Sequence, residues 1–262
     1  MRRLGADRGG RKAMGAERDE FSLRWYRRFT ARGAALDDDA GIAGWTPTGL
    51  AARSRQFRAH WSLVQPPGER WLDIGCGAGT YCRHLHNEGR EVVGVDYAEP
   101  SLRKARDRAP AGVGWLVADA RALPFPAATF DGVLCFGVMQ ALSVAGRRCA
   151  LSEMARVVRP GGEVWVDALN GACFPHVWAE WRRRLQRRAP HLRYDRRAGL
   201  REAMVAAGLE PLECHWLPLL PPSWARGQEW VEGAWLRRLL DASPRLASRL
   251  SHSYILRAWV PR

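Results

Sequence analysis

The chain has 262 residues, 47% of them hydrophobic, which suits one domain of ordinary size with its own core. No apolar run approaches the roughly 18 residues of a membrane span, and residues 1–20 have neither a signal peptide's apolar segment nor the acid-poor composition of a transit peptide. The net charge of +14 attracts anions, although the excess is nearly all arginine, as a GC-rich coding sequence would also produce.

The N-terminal quarter of the chain is predicted to lie outside the main fold. We expect residues 1–20 to form a flexible basic tail and residues 21–65 to form a helical lid. Within the lid, FSLRWYRRF and LAARSRQFRAHWSLV have helical spacing and are separated by a predicted turn at 37–41.

Short apolar runs alternate with helices through residues 66–169, which predicts a parallel sheet covered on both faces. Pro160-Gly161-Gly162 is predicted to stop the last of these helices. The predicted strands lie at 70–75, 91–96, 113–119, 130–136 and 163–169, and the predicted helices at 80–89, 99–109 and 147–158.

The remaining residues are predicted to complete this core and to cover its mouth. Residues 170–198 are read as a helical basic insertion, and 199–262 as the rest of the core. That last part contains a helix–strand unit at 199–219, a Trp-rich helical cover at 221–250 and a final strand at 253–260. The final strand is expected to pair antiparallel at an edge of the sheet.

The six cysteines form no CxxC pair, which argues against a zinc site and, in a chain of this length, against a disulfide framework. We therefore expect reduced thiols, no bound metal and a cytoplasmic protein. The positions are Cys76, Cys82, Cys135, Cys149, Cys173 and Cys214.

The first predicted strand runs into a glycine-rich turn, LDIGCGAG, that opens a helix. Such a turn lets a ligand approach the backbone and the unpaired N–H groups of the helix. The spacing is not the GxGxxG of a dinucleotide site, because the third glycine, Gly79, comes one residue early. The pattern is DxGxGxG, starting at Asp73 and continuing through Gly75 and Gly77. An acid beside the cradle would repel a pyrophosphate and would suit a cationic ligand.

Four motifs in order resemble the class I S-adenosylmethionine-dependent methyltransferases, particularly the small-molecule group similar to ubiquinone and menaquinone methyltransferases. The resemblance covers roughly residues 70–170. It implies a Rossmann-like, doubly wound α/β fold with a seven-stranded, mostly parallel sheet, an antiparallel last strand and helical lids. The motifs are LDIGCGAGTY, GVDYAEPSLRKAR, WLVADARALPFPAATFDGVLC and LSEMARVVRPGGEVWV.

The resemblance implies S-adenosyl-L-methionine as cofactor and S-adenosyl-L-homocysteine as product. The three glycines would make room for the methionine part and the sugar. Asp73 would order the cradle near the ammonium group, although an Asp there could simply cap the turn. Asp96 would bind both ribose hydroxyls. The implied cofactor-binding set is Asp73, Gly75, Gly77, Gly79, Asp96, Tyr97, Asp119, Ala120 and Leu123.

Three residues of this set are implied to contact the adenine. Asp119 would hold the adenine amino group, with the Ala120 N–H and the Leu123 side chain nearby, whereas a Leu at this position could equally be core. Two readings stay open for Tyr26 and Trp45 in the lid: a cover over the cofactor, as in relatives, or ordinary core.

The acceptor is expected over the ends of the fourth and fifth strands. Relatives often have His-His after the fourth strand, where this chain has Gln140 and Ala141, so a histidine base cannot be carried over from them. His176 and His215 remain as candidate bases, and we take His176. No NPPY-like tetrapeptide follows strand four, which disfavours methylation of amino groups on adenine, cytosine or glutamine.

The segment 174–197 places tryptophans and a leucine at helical spacing among arginines. Three readings are open: a helix on an anionic membrane, a phosphate-binding patch for RNA or a nucleotide sugar, or a solvated helix whose tryptophans cover the site. Further tryptophans at 221–240 suit a planar or hydrophobic acceptor. The residues are Trp178, Trp181, Leu185, Arg182, Arg183, Arg184, Arg187 and Arg188, then Trp224, Trp230 and Trp235.

The sequence therefore predicts an S-adenosylmethionine-dependent methyltransferase acting on a small acceptor, of which lipid-like and anionic molecules are both candidates. Peripheral contact with an anionic membrane is part of this prediction, and nucleic acid ranks lower as a partner. Two alternatives are an RNA methyltransferase that uses the basic surface, and a catalytically silent protein that binds the cofactor and acts as a partner.

Overall fold

The computed structural model describes residues 19–188, 192–220 and 226–262. The greater part of the predicted basic tail (residues 1–18), residues 189–191 of the basic insertion, and Trp224 lie outside these residues. In the part of the chain that is described, no helix is both long and apolar enough to cross a membrane.

The described strands form one seven-stranded sheet in the order β3-β2-β1-β4-β5-β7-β6. Strands β1 to β5 pair in parallel, whereas β7 pairs antiparallel with both β5 and β6. This order confirms the predicted doubly wound α/β class. The strands are β1 Arg70–Ile74, β2 Glu91–Asp96, β3 Gly114–Val117, β4 Phe130–Cys135, β5 Val158–Leu169, β6 Glu210–Leu217 and β7 Ser253–Trp259.

The predicted position of the last strand at an edge of the sheet is wrong, because β7 lies between β5 and β6. Every residue of β7 except Trp259 is buried, as expected for an interior strand. The charged residue of this strand is Arg257. Its guanidinium is buried and bonds to Glu163 on β5 at 3.0 Å, so the charge is neutralised inside the sheet layer.

The helices pack around this sheet, and two local predictions need correction. The turn predicted at 37–41 overlaps α2, because Asp38 Oδ1 accepts the Gly41 N–H at 2.6 Å and so caps a helix. Pro160-Gly161-Gly162 lies within β5, since the preceding helix already ends at Val157. The helices are α1 Glu20–Ala35, α2 Asp39–Ala43, α3 Pro47–Val64, α4 Thr80–Asn87, α5 Glu99–Arg108, α6 Val144–Val157, α7 Phe174–Leu185, α8 Arg197–Ala206, α9 Gln228–Val231, α10 Ala234–Ala242 and α11 Pro244–Leu250.

Apolar side chains cover both faces of the sheet. On one face, Met154 of α6 and Met204 of α8 pack in one buried cluster with β-strand residues such as Val164. On the other face, Phe57 and Trp61 of α3 pack in a second cluster, together with residues of α4 and α5. Helix α3 is thus anchored to the sheet by two large buried aromatic rings, which positions the N-terminal helices over the strand ends.

The close packing of β4 against β1 can be tested at Gly132. A Cβ there would meet the Trp71 ring at 2.4 to 2.6 Å, so Gly132→Ala is expected to destabilise the fold by about 1–3 kcal/mol. The matched control is Gly199→Ala in α8, where a Cβ would meet no heavy atom within 4 Å and helix propensity predicts a gain of about 0.5–1 kcal/mol. Urea unfolding measures both, and equal stabilities of the two variants would contradict this packing.

Candidate functional site

An open cavity lies at the carboxyl ends of β1, β2 and β4, where open α/β sheets bind their ligands. It holds about 1030 Å³ of empty space, including the solvent at its mouth. Its floor comes from the turns that follow the strands, and its cover from α1, α2 and α3. The floor residues include Gly75, Cys76, Gly77, Asp96, Tyr97, Ala98, Asp119, Gly137 and Val138.

The three glycines after β1 all adopt positive φ, but they serve different purposes. A Cβ on Gly75 would meet Val138 at 2.3 Å, and one on Gly79 would meet the Trp115 ring at 2.6 Å. These two glycines are therefore required by the protein's own packing, and Gly79 does not line the cavity. Gly77, with φ of 53°, has Ile42 at 3.9 Å as its nearest neighbour and lines the cavity, so its missing side chain leaves space for a ligand.

Asp96, at the end of β2, holds the turn from the cavity side. Its Oδ2 accepts the Gly77 N–H at 2.9 Å, and its Oδ1 accepts the Ala98 N–H at 2.8 Å. Burial raises the pKa of Asp96, and the hydrogen bonds from these N–H groups work against that rise. The Tyr97 N–H also bonds to this carboxylate. The carboxylate keeps acceptor capacity beyond these backbone bonds, since its two oxygens offer about four lone-pair sites. Asp96 also lines the cavity, so its acceptor oxygens fit a ligand with a pair of hydroxyl groups that donate to them.

Asp73 lies on the other side of the same turn. Its side chain is 1% exposed and does not line the cavity. The Cys82 thiol donates to Asp73 Oδ2 at 3.2 Å. Burial raises the pKa of Asp73 to about 7, with a smaller upward contribution from the charge of Asp96. Asp73 thus connects the end of β1 to α4 inside the fold.

The residues predicted for the adenine end are only partly at the cavity. Asp119 lines it and is bonded by the neighbouring Arg121, whose Nε and Nη2 donate to the two carboxylate oxygens at 2.9 and 2.8 Å. Ala120 and Leu123 are buried outside the cavity lining. Leu123 belongs to the core cluster on one face of the sheet. The core reading of Leu123 is therefore the one that the structure supports.

Helices α1 and α2 close the cavity. The sequence predicted a lid here, but it did not indicate which residues the lid contacts. The Tyr26 ring of α1 lies 4.9 Å from the Tyr97 ring, and both line the cavity. Asp39 of α2 accepts hydrogen bonds from Thr80 at 2.7 Å and from Arg108 at 2.9 Å. The acidic run at 37–39 and the basic helix α5 are the sequence signals that could have predicted this contact between α2 and the core.

A buried arginine was also missed. Arg53 of α3 forms an ion pair with Asp167 of β5 and donates to Ser253 Oγ at 2.7 Å. Asp167 Oδ1 in turn accepts the Gly137 N–H at 2.6 Å. Burial lowers the pKa of Arg53, and its guanidinium lies 4.3 Å from the Trp45 ring. The pair fixes α3 and the turn after β4 at the cavity wall.

A second cavity adjoins the first and contains the predicted base, His176. Trp25, Phe29, Ala43 and Trp45 line both cavities. The second is also lined by Arg28, Arg32, Gln140, His176, Tyr194 and His252. His215, the other candidate base, lines neither cavity and stacks on His60 at 4.1 Å between ring centroids.

His176 is held in one tautomer. Its Nδ1 lies 2.8 Å from the Asn170 carbonyl oxygen, so Nδ1 carries the proton and Nε2 is the acceptor. Burial lowers the pKa of His176, which keeps the ring neutral near pH 7. In the same cavity, Gln140 Oε1 is buried with no hydrogen-bond partner among the described residues. The second cavity is therefore lined by a neutral imidazole whose Nε2 is an acceptor.

The burial of Asp73 predicts a pH-dependent stability. Its folded pKa lies above the unfolded value of 3.8, so its contribution falls as pH rises through about 7. The free energy of unfolding of Asp73→Asn, relative to that of the wild type, is expected to rise by roughly 2–3 kcal/mol from about pH 5 to about pH 8. Urea unfolding at both pH values measures this difference. The exposed Asp107→Asn is the control, and a pH-independent difference for Asp73→Asn would contradict the raised pKa.

A methyltransferase domain family matches residues 72–162. The chain is 39% identical over 110 residues to a malonyl-[acyl-carrier protein] O-methyltransferase of Salmonella typhimurium, covering 42% of this chain and 43% of that protein. It is 39% identical over 106 residues to a demethylmenaquinone methyltransferase of Beutenbergia cavernae, covering 40% and 42%. It is also 38% identical over 128 residues to the human protein named Probable tRNA methyltransferase 9B, covering 48% and 24%. The chain thus spans less than half of each relative.

Solved structures share the fold over most of the chain. A chain from the complex between the Haloferax volcanii Trm112 methyltransferase activator and a methyltransferase superposes with a TM-score of 0.61 at 21% identity, covering 94% of this chain and 99% of that one. Haemonchus contortus phosphoethanolamine N-methyltransferase 2, solved with S-adenosyl-L-methionine, gives 0.59 at 20% identity, covering 90% and 60%. At these identities the likeness concerns the fold alone.

Proposed function

We infer from the membership of this chain in the class I S-adenosylmethionine-dependent methyltransferases that it binds S-adenosyl-L-methionine in the larger cavity and methylates a small acceptor in the second. The observation that carries the proposal is Asp96. This acid lines the cavity beside the open face of Gly77, and its carboxylate retains acceptor capacity beyond its backbone bonds. The relatives act on different acceptors, so the acceptor is argued from this chain's own site.

The residues at the larger cavity fit the cofactor. Asp96 would accept the two ribose hydroxyls, and the backbone around Gly77 would leave room for the sugar and the amino acid part. The Tyr97 ring, packed against Tyr26, would cover the adenosine. Asp119, which lines the cavity, would accept from the adenine amino group in addition to its bonds from Arg121. When bound, the cofactor supplies an electrophilic methyl group.

The second cavity would hold the acceptor. Holding it in line with the methyl group can contribute several kcal/mol without a catalytic side chain. His176 would take the acceptor's proton at Nε2, because its Nδ1 proton is committed to Asn170. Arg28 and Arg32 line the same cavity and favour an acceptor that carries negative charge.

Cofactor binding is tested by titrating the protein with S-adenosyl-L-homocysteine in a calorimeter. Asp96→Asn is expected to weaken binding roughly 10- to 100-fold, because hydrogen bonds to the ionised carboxylate are lost. Asp107→Asn, an exposed acid on α5, is the matched control and should bind like the wild type. Binding retained in Asp96→Asn would refute the ribose contact. A wild type that binds nothing would refute the methyltransferase proposal.

The reaction is tested with S-adenosyl-L-methionine labelled in its methyl group and three cell fractions: polar small molecules, lipids and RNA. We expect label in a small-molecule or lipid product. His176→Gln should reduce the transfer rate roughly 10²- to 10⁴-fold and leave S-adenosyl-L-homocysteine affinity unchanged. His86→Gln on α4, which lines neither cavity, is the control. Label only in RNA would support the RNA alternative, and no label in any fraction would support a silent cofactor-binding protein.

A further inference from the structure

Helix α7 presents an apolar stripe to solvent. Its five large apolar side chains recur at helical spacing and therefore share one face. Contiguous exposed apolar surface of this kind marks an interaction site. The exposed fractions are 72% for Phe174, 50% for Val177, 50% for Trp178, 57% for Trp181 and 64% for Leu185.

The opposite face of α7 holds the helix to the protein. His176 is 8% exposed, and its ring lies 4.5 Å from the rings of Tyr194 and His252. Residue 176 lies roughly 200° around the helix from Phe174, at about 100° per residue. The stripe therefore points away from the body of the protein, because the opposite face of α7 already packs against it.

Arginines border the stripe on both sides. By the same helical spacing, Arg182 falls beside Trp178 on one edge and Arg184 falls beside Val177 on the other edge. The Arg182 guanidinium lies 4.6 Å from the Trp178 ring, which keeps the charge next to the apolar surface. Exposed apolar residues with arginines along their edges are the pattern of a helix that lies in a membrane interface.

We propose that α7 docks this protein on the surface of an anionic lipid bilayer. The stripe would insert among the acyl chains near the headgroups, while Arg182 and Arg184 would contact lipid phosphates. The net charge of +14 adds long-range attraction to such a surface.

Charge and chemistry favour a bilayer over the other occupants. A second copy of the chain docked through the same stripe would bring arginines against arginines. RNA would satisfy the guanidinium groups and could stack on tryptophan. It would leave Phe174, Val177 and Leu185 without an apolar partner, whereas a bilayer buries all five stripe residues and pairs the arginines.

Docking has a consequence that rests on the proposed function. Because His176 lines the second cavity from the other face of α7, a docked protein would hold that cavity within one helix diameter of the lipid surface. An amphiphilic acceptor with an anionic group could then pass from the membrane to the site. Docking itself needs neither cofactor nor acceptor.

Vesicle co-sedimentation at low salt tests the proposal, using phosphatidylcholine with and without about one-third phosphatidylglycerol. The wild type should bind the anionic vesicles, and Trp178→Ser/Trp181→Ser should bind at least about tenfold more weakly. Val177→Ser should weaken binding as well. The matched control is Val205→Ser on α8, a valine of similar exposure at 57%, which should bind like the wild type.

The charge contribution is tested separately. Arg182→Gln/Arg184→Gln should weaken binding to anionic vesicles severalfold, whereas Arg245→Gln/Arg249→Gln on α11 should have a smaller effect. Unchanged S-adenosyl-L-homocysteine affinity and thermal unfolding would show that the variants are folded, and would separate failed docking from failed cofactor binding. A wild type that ignores anionic vesicles overturns the proposal. Equal weakening of vesicle binding by Val177→Ser and Val205→Ser also overturns it. A stripe variant that changes only RNA binding or dimerisation overturns it as well.

Discussion

The Asp96 carboxylate joins the two turns on which the candidate site is built. One oxygen accepts from Gly77 in the turn after β1, and the other accepts from Ala98 in the turn after β2. Because β1 and β2 are adjacent and parallel, their carboxyl ends are neighbours, and a single acid can bridge both turns. Asp73 bonds to Cys82 of α4 on the buried side. The cavity floor therefore depends on one carboxylate that holds two turns together.

The cover of the cavity is tied down by charges as well as by apolar packing. Asp39 connects α2 to the helices that follow β1 and β2, and Arg53 connects α3 to Asp167 on β5. Phe57 and Trp61 supply the apolar anchor of α3. The Arg53–Asp167 pair is buried, so the lid depends on both of these partners, since removal of one leaves an uncompensated buried charge.

The arginine excess has two distinct uses in the described residues. Some arginines neutralise acids within the fold, as Arg257 does with Glu163 and Arg121 with Asp119. Others border the apolar stripe of α7, where Arg182 lies over an exposed tryptophan ring. The same helix lines the second cavity through His176, so it connects an exposed surface with the interior of the candidate site.

Local sequence by itself determined the strands of the core, the glycine turn and the acid at the end of β2, because strand period and turn chemistry act over a few neighbouring residues. Only the tertiary structure decided which distant residues meet. It placed β7 inside the sheet by pairing Arg257 with Glu163, and brought Arg53 to Asp167 across more than a hundred residues. It also buried Leu123 in the core and placed His176, and not His215, at a cavity. Those outcomes depend on long-range packing and charge compensation, which no local pattern encodes.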